Sequence, residues 1–162
     1  MEQFRLLTVD DAAEYHKVLV SSYAAHKDSP ISFEAIHFDL EQSVEWVKGH
    51  PVYGLFSGGK LVSSVTFRMP WEPNATPMAY PHIAHFVTAS EEKGKGYARK
   101  MLKHAEETLV KEFKTKVVTL GTALEHPWLK DMYVAFGFKE FGSKHFAGKL
   151  HTTVFFEKRL CN

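Results

Sequence analysis

Between residues 82 and 113 the chain passes from a strand-like stretch, through Lys93-Gly94-Lys95-Gly96-Tyr97-Ala98, into one long amphipathic helix. His82 to Thr88 has strand character, and Ser90 to Gly96 turns the chain. Ala98, Met101, Leu102, Ala105, Leu109 and Phe113 then recur at spacings of three and four, the period of a helix that buries one face. A strand feeding a helix in this way predicts a mixed α/β domain around one sheet. It also prepares an anion site. Gly94 and Gly96 lack side chains, so backbone amides can approach a ligand closely, at a helix N-terminus whose free N–H groups favour negative charge. Ala98 keeps the first turn small, and Lys93, Lys95 and Arg99 add positive charge. A bare Gly-x-Gly is also the ordinary form of a solvated turn. No Gly-Lys-Ser/Thr closes the loop as in a Walker motif, and the three-glycine dinucleotide spacing is missing.

The remaining elements follow from periodicity and breakers. Phe4 to Thr8 reads as a strand and Val9-Asp10-Asp11 as a helix start, with Ala12, Tyr15, Leu19 and Tyr23 at helical spacing. After Ser29-Pro30 a second helical stretch carries Leu40, Val44 and Val47 on one face and runs to Lys48, ending at Gly49-His50-Pro51. Val52 to Phe56 and Leu61 to Arg68 form a hairpin through Ser57-Gly58-Gly59-Lys60. The prolines at 70, 73, 77 and 81 make Pro70 to Pro81 a surface loop. Lys116 to Ala123 is a strand, His126-Pro127 opens a helix that ends near Phe136-Gly137, and Phe138 to Phe141 and Thr152 to Leu160 close the chain as strands.

Composition narrows the function. With 162 residues the chain has the size of one domain. Its 20 Lys plus Arg against 19 Asp plus Glu leave no basic excess for a nucleic-acid partner. The single cysteine, Cys161, excludes an internal disulfide framework, which fits a reduced, cytoplasmic setting. Neither a signal peptide nor a membrane-length apolar run is present, so no membrane partner is expected, and Asn74-Ala75-Thr76 is a chance glycosylation match.

The loop resembles the Gln/Arg-x-x-Gly-x-Gly/Ala motif of GNAT N-acetyltransferases, with Lys93, Gly96 and Ala98 in its three defined positions. Lys93 replaces the family's Gln or Arg. A second family motif pairs an Asn with a Tyr seven residues later, just before Gly-Phe. Here His126 stands in the Asn position, followed by Tyr133 and Gly137-Phe138. The resemblance implies a single N-acetyltransferase domain over residues 1–162, with a central mixed, mostly antiparallel sheet whose fourth and fifth strands splay apart, flanked by helices. It implies acetyl-CoA as cosubstrate and direct attack by an amine, of a small molecule, an amino acid or a protein, in a ternary complex. The pyrophosphate would lie on Lys93, Gly94, Lys95, Gly96, Tyr97, Ala98 and Arg99. The pantetheine arm would lie along Phe86 and Val87 on one side, and along His126, Leu129 and Tyr133 on the other. Tyr133 would protonate the leaving thiolate. Dimers are common in the family, so a homodimer is among the expected states.

Acyl transfer also needs the amine to lose a proton, since an alkylammonium of pKa about 10 is no nucleophile. The candidate bases are His82 and His85 on the fourth strand and Glu125 at the end of the fifth, with an ordered water as the alternative. Strand alternation sends the two histidines to opposite faces unless a bulge intervenes. For the same reason His82 to His85 is not read as a metal site, and Cys161 is too near the end of the sequence to act as a nucleophile. Tyr23, Phe33, Trp46, Trp71 and Tyr80 are the aromatics expected around the acceptor. A non-catalytic acyl-CoA-binding module of the same fold is the alternative function, and an α/β domain for another nucleotide a third reading.

Overall fold

A computed structural model describes residues 1–23, 38–72, 79–123, 127–148 and 152–160 of the chain. Among them, strands β1 (Glu2–Leu6), β2 (Val52–Ser57), β3 (Lys60–Arg68), β4 (His82–Thr88), β5 (Val117–Ala123), β6 (Lys139–Lys144) and β7 (Thr153–Arg159) form one sheet. Their spatial order is β1-β2-β3-β4-β5-β7-β6. Neighbours pair antiparallel except β4 and β5, which run parallel and pair only at His82↔Thr119 and Ile83↔Leu120 before they diverge. This is the splayed mixed sheet that the resemblance implies.

Helices cover both faces. α1 (Ala12–Tyr23) and α2 (Leu40–Gly49) bury Tyr15, Leu19 and Val47 against Leu7, Val52, Phe56, Leu61 and Val87. α3 (Tyr97–Phe113) buries the stripe Met101, Leu102, Ala105 and Leu109 against Val65, Phe67, Val118, Leu120 and Phe156. α4 (Pro127–Ala135) adds Tyr133 to that second core. The start of α2 is set by a reciprocal cap, with Asp39 accepting from the Gln42 amide and Gln42 accepting from the Asp39 amide, each at 2.8 Å.

Three boundaries differ from the sequence expectation. The first strand ends at Leu6 rather than Thr8, because the Asp11 carboxylate accepts from the Thr8 amide at 2.8 Å and from Arg5, which turns the chain early. β6 extends to Lys144 rather than Phe141; all six of its residues are exposed, so no apolar alternation marks it, and pairing with β7 holds it. Ala98 is half-buried rather than part of the core, since the buried stripe of α3 begins one turn later. The second helical stretch begins only at Leu40, since Asp39 is extended and caps it, and the expected part before Phe38 lies outside the described residues.

Candidate active site

The turn before α3 is built by backbone conformation. Gly94 and Gly96 have φ of 85° and 84°, a region that side chains with a Cβ occupy only at a cost, and a Cβ at either would meet nothing within 4 Å. The glycines are therefore required by the turn, while the space above them is open. The first intrahelical bond runs from the Lys100 amide to the Gly96 carbonyl at 3.2 Å, so the amides of Tyr97, Ala98 and Arg99 precede the helical ladder. No acidic residue stands in that first turn. Lys93 reaches the Ser22 carbonyl at the end of α1 (3.3 Å), Lys95 pairs with Glu92 (2.7 Å), and the Tyr97 hydroxyl donates to Ser57 Oγ (3.3 Å). Arg99 lies over the Phe136 ring at 4.7 Å, in a cleft with Lys103 and Lys158 between α3 and β7.

The turn follows the end of β4 that has diverged from β5, and β4 is irregular along that stretch. Ser64 pairs with Val87 and Thr66 with Ala84, so β4 uses three steps where β3 uses two. The extra residue is a bulge, and His85 within it has φ of 46°, the left-handed region that non-glycine residues seldom occupy. Ile83 and Phe86 consequently both turn to the α3 face, while His85 and Val87 turn to the α1/α2 face. By alternation from Ile83, His82 shares the face of His85. The bulge that the alternation argument set as its exception is present.

Both histidines have defined partners. His85 Nδ1 lies 2.9 Å from the Tyr15 hydroxyl, and its ring stacks on Trp46 at 4.0 Å with Phe38 at its edge. Trp46 stacks on His50 with its other contact (3.9 Å) and donates Nε1–H to Thr66 Oγ1 at 2.8 Å. His50 Nε2 is 3.6 Å from Glu72, which also holds Arg68 at 2.8 Å. His82, 8% exposed, lies 2.8 Å through Nδ1 from Thr119 Oγ1, which donates to the Pro81 carbonyl at 3.3 Å. Burial, then the positive charge of Arg68, holds the His82 imidazole at a pKa of about 4. Burial, then His50 and Arg68, holds His85 at about 3. Both rings are neutral at neutral pH.

Across the fork, Tyr133 is 7% exposed, with its ring 6.3 Å from Phe86, 5.9 Å from Phe138 and 6.1 Å from Phe156. Burial, then the Tyr23 hydroxyl, pushes its pKa up, so the phenol keeps its proton. Leu129, half-buried, packs on the same cluster. Lys158 donates to the Phe136 carbonyl at 2.8 Å and pairs with Glu106 at 2.9 Å, fixing the exit of α4.

The fold thus gathers Phe86, Val87, Tyr133, Leu129 and the turn from Lys93 to Arg99 around one fork, with His82 and His85 on the α1/α2 face beside it. Trp71 and Tyr80 are exposed, at 73% and 44%. Glu125, His126, Phe33 and Cys161 lie outside the described residues. Sequence reasoning took Tyr15 as a packing residue only and did not single out Thr66, Arg68, Glu72 or Thr119. Tyr15 meets a partner seventy positions away, and no local spacing signals that contact.

Known proteins share this architecture. The solved structure of yncA from Salmonella typhimurium with its cofactor acetyl-CoA superposes with a TM-score of 0.76 at 15% identity, covering 100% of this chain and 95% of that one. An S-alkylcysteine N-acetyltransferase of Bacillus subtilis (strain 168) is 37% identical over 138 residues, 84% of this chain and 78% of the relative. An S-(2-succino)cysteine N-acetyltransferase of the same organism is 32% identical over 159 residues, 98% of this chain and 96% of the relative. The acetyltransferase (GNAT) family matches residues 15–138, which contain both motifs and the whole fork. The chain belongs to the GNAT family, and it is an acetyltransferase.

Proposed function

We propose that this enzyme transfers the acetyl group of acetyl-CoA to the α-amine of an S-substituted cysteine, by direct attack in a ternary complex. The observation that carries the acceptor class is the similarity to two relatives that are both N-acetyltransferases of cysteine thioethers, one of them matched over 98% of the chain.

The residues present fit acetyl-CoA. Beyond Ile83 the β5-facing side of β4 is unpaired in the sheet, and a pantetheine arm carries amides of the kind that such an edge lacks. The open turn at Gly94 and Gly96 and the amides of Tyr97 to Arg99 suit a pyrophosphate, with Lys93, Lys95 and Arg99 supplying charge nearby. Bound there, acetyl-CoA supplies an activated acyl carbon. Phe86 and Val87 line the arm on one side, and Leu129 and Tyr133 on the other. Tyr133, a neutral phenol, gives the departing thiolate a proton. Trp46 and Phe38 offer an aromatic wall to the thioether substituent, and Arg68, paired with Glu72, lies on the face where an acceptor carboxylate would bind.

Thiol release from acetyl-CoA tests the acceptor. S-methylcysteine, S-benzylcysteine and S-(2-succino)cysteine should be turned over well above alanine, spermidine and an N-terminal peptide. Turnover of a polyamine or a peptide, with none of any S-substituted cysteine, would sink the proposal.

A further inference from the structure

The two histidines of β4 share a face, but their hydrogen bonds give them opposite tautomers. Thr119 has one hydroxyl proton and two contacts. The Pro81 carbonyl, at 3.3 Å, can only accept, and His82 Nδ1 lies 2.8 Å away. Both contacts are satisfied together only when Thr119 donates to Pro81 and His82 Nδ1 carries hydrogen. Nε2 of His82 then keeps its lone pair. His85 is the reverse case. Tyr15 is fully buried, so its phenol proton needs an acceptor, and His85 Nδ1 stands at 2.9 Å. The neighbouring Thr66 hydroxyl accepts the indole N–H of Trp46 and bonds Tyr15 in the sense that lowers its pKa, that of a donor to the phenol oxygen, which leaves His85 Nδ1 to accept the Tyr15 proton. His85 therefore carries its proton on Nε2.

From this geometry we infer that His82, through Nε2, takes the proton of the acceptor ammonium, and that His85, through Nε2–H, is a fixed donor and not a base. The inference rests on the acetyl-transfer reading above. One N–H bond of the ammonium breaks and one forms on His82, which becomes an imidazolium. The free amine attacks the thioester carbon, and the C–S bond breaks. The attacking nitrogen loses one of its two remaining protons, and the sulfur gains one through the Tyr133 hydroxyl. His82 returns its proton to water.

His82 resists protonation, because it is buried and faces Arg68 on β3. An acceptor that sets a carboxylate beside Arg68 offsets that charge, which ties the base to the acceptor class. Among the described residues, this face also carries Tyr15 and His85, bonded to each other, and His50 and Arg68, both beside Glu72.

Long-range nitrogen-15 NMR of the substrate-free protein reads the tautomers, with signals assigned through His82→Gln and His85→Gln. The bare nitrogen should be ε2 in His82 and δ1 in His85. The same tautomer in both, or the reverse pair, overturns the inference. In turnover with an S-alkylcysteine, His82→Gln should lower kcat about 10²-fold with little change in the acetyl-CoA KM. Its pH–rate profile should lose the acid limb. His85→Gln, which keeps an N–H near that point, should stay within several-fold, whereas His85→Leu should raise the acceptor KM. Thr119→Val should lower kcat and Thr119→Ser restore it, with circular dichroism reporting the fold of each variant. An unchanged kcat and pH profile in His82→Gln also overturns the base role. If no S-substituted cysteine is turned over, the NMR readout still decides the tautomers, so the two readings fail separately.

Discussion

The bulge of β4 and the turn from Lys93 to Arg99 lie a few residues apart along the chain and are built in opposite ways. In the turn the backbone is the proposed binding element, the charged side chains of Lys93, Lys95 and Arg99 are exposed, and the Lys95–Glu92 ion pair is of the surface kind that contributes little. Around the bulge, His85, Thr66 and His82 have partners drawn from α1, α2 and β5 in turn. A backbone site tolerates changes that leave its path alone. A side-chain network tolerates only replacements that keep both shape and hydrogen-bond sense.

The sharpest way to break that comparison is Gly96→Glu. A non-glycine residue in the left-handed region costs about 1–2 kcal/mol, which the fold should survive. The added carboxylate meets the free amides of α3, and coenzyme A affinity should fall on the order of 100-fold or more by calorimetry, about 3 kcal/mol. Undiminished binding would remove the turn from the site. Tyr133→Phe comes next, since it keeps the ring among Phe86, Phe138 and Phe156 and deletes only the proton donor. Its kcat should drop by about 10²-fold while coenzyme affinity holds; equal kcat would make Tyr133 a packing residue.

Acid should separate the two regions further. Both β4 imidazoles are held below the free value of about 6.5, so the unfolded chain binds their protons first. Stability should therefore fall as pH drops below that value, until the native pKa of about 4 for His82 and about 3 for His85 is reached. Each contributes a slope approaching about 1.4 kcal/mol per pH unit in urea unfolding. His82→Gln should remove its share, and a pH-independent stability from pH 7 to 5 would show that the rings are solvated. Lys95→Ala, on the turn side, should leave that slope and the Tm unchanged. Its cost should be confined to roughly a threefold to tenfold weaker coenzyme A affinity, read by calorimetry.

The same contrast explains what the sequence reveals. The turn is contiguous, so Gly94, Gly96 and the apolar stripe of α3 can be read together, and the order of strands follows from periodicity and breakers. The shared face of His82 and His85 was not legible, because one inserted residue reverses strand alternation and no local pattern announces it. Nor were Thr66, Thr119 and Arg68, ordinary strand residues until the ladder sets them beside the histidines. The exposed β6 carries no apolar rhythm, which is why its length was misjudged.

The fork has one more consequence, for the way the molecule comes apart. Among the described residues two pairs form the ladder between β4 and β5, so β1 to β4 and the β5-β7-β6 trio meet through very little backbone. What unites them is α3, whose buried stripe shares one core with Phe67 on one side and Phe156 on the other. Amide exchange in the trio should then report the docking of a helix more than the breaking of a sheet. An occupant that laces the fork would slow exchange in both halves at once, turning two loosely joined opening units into one.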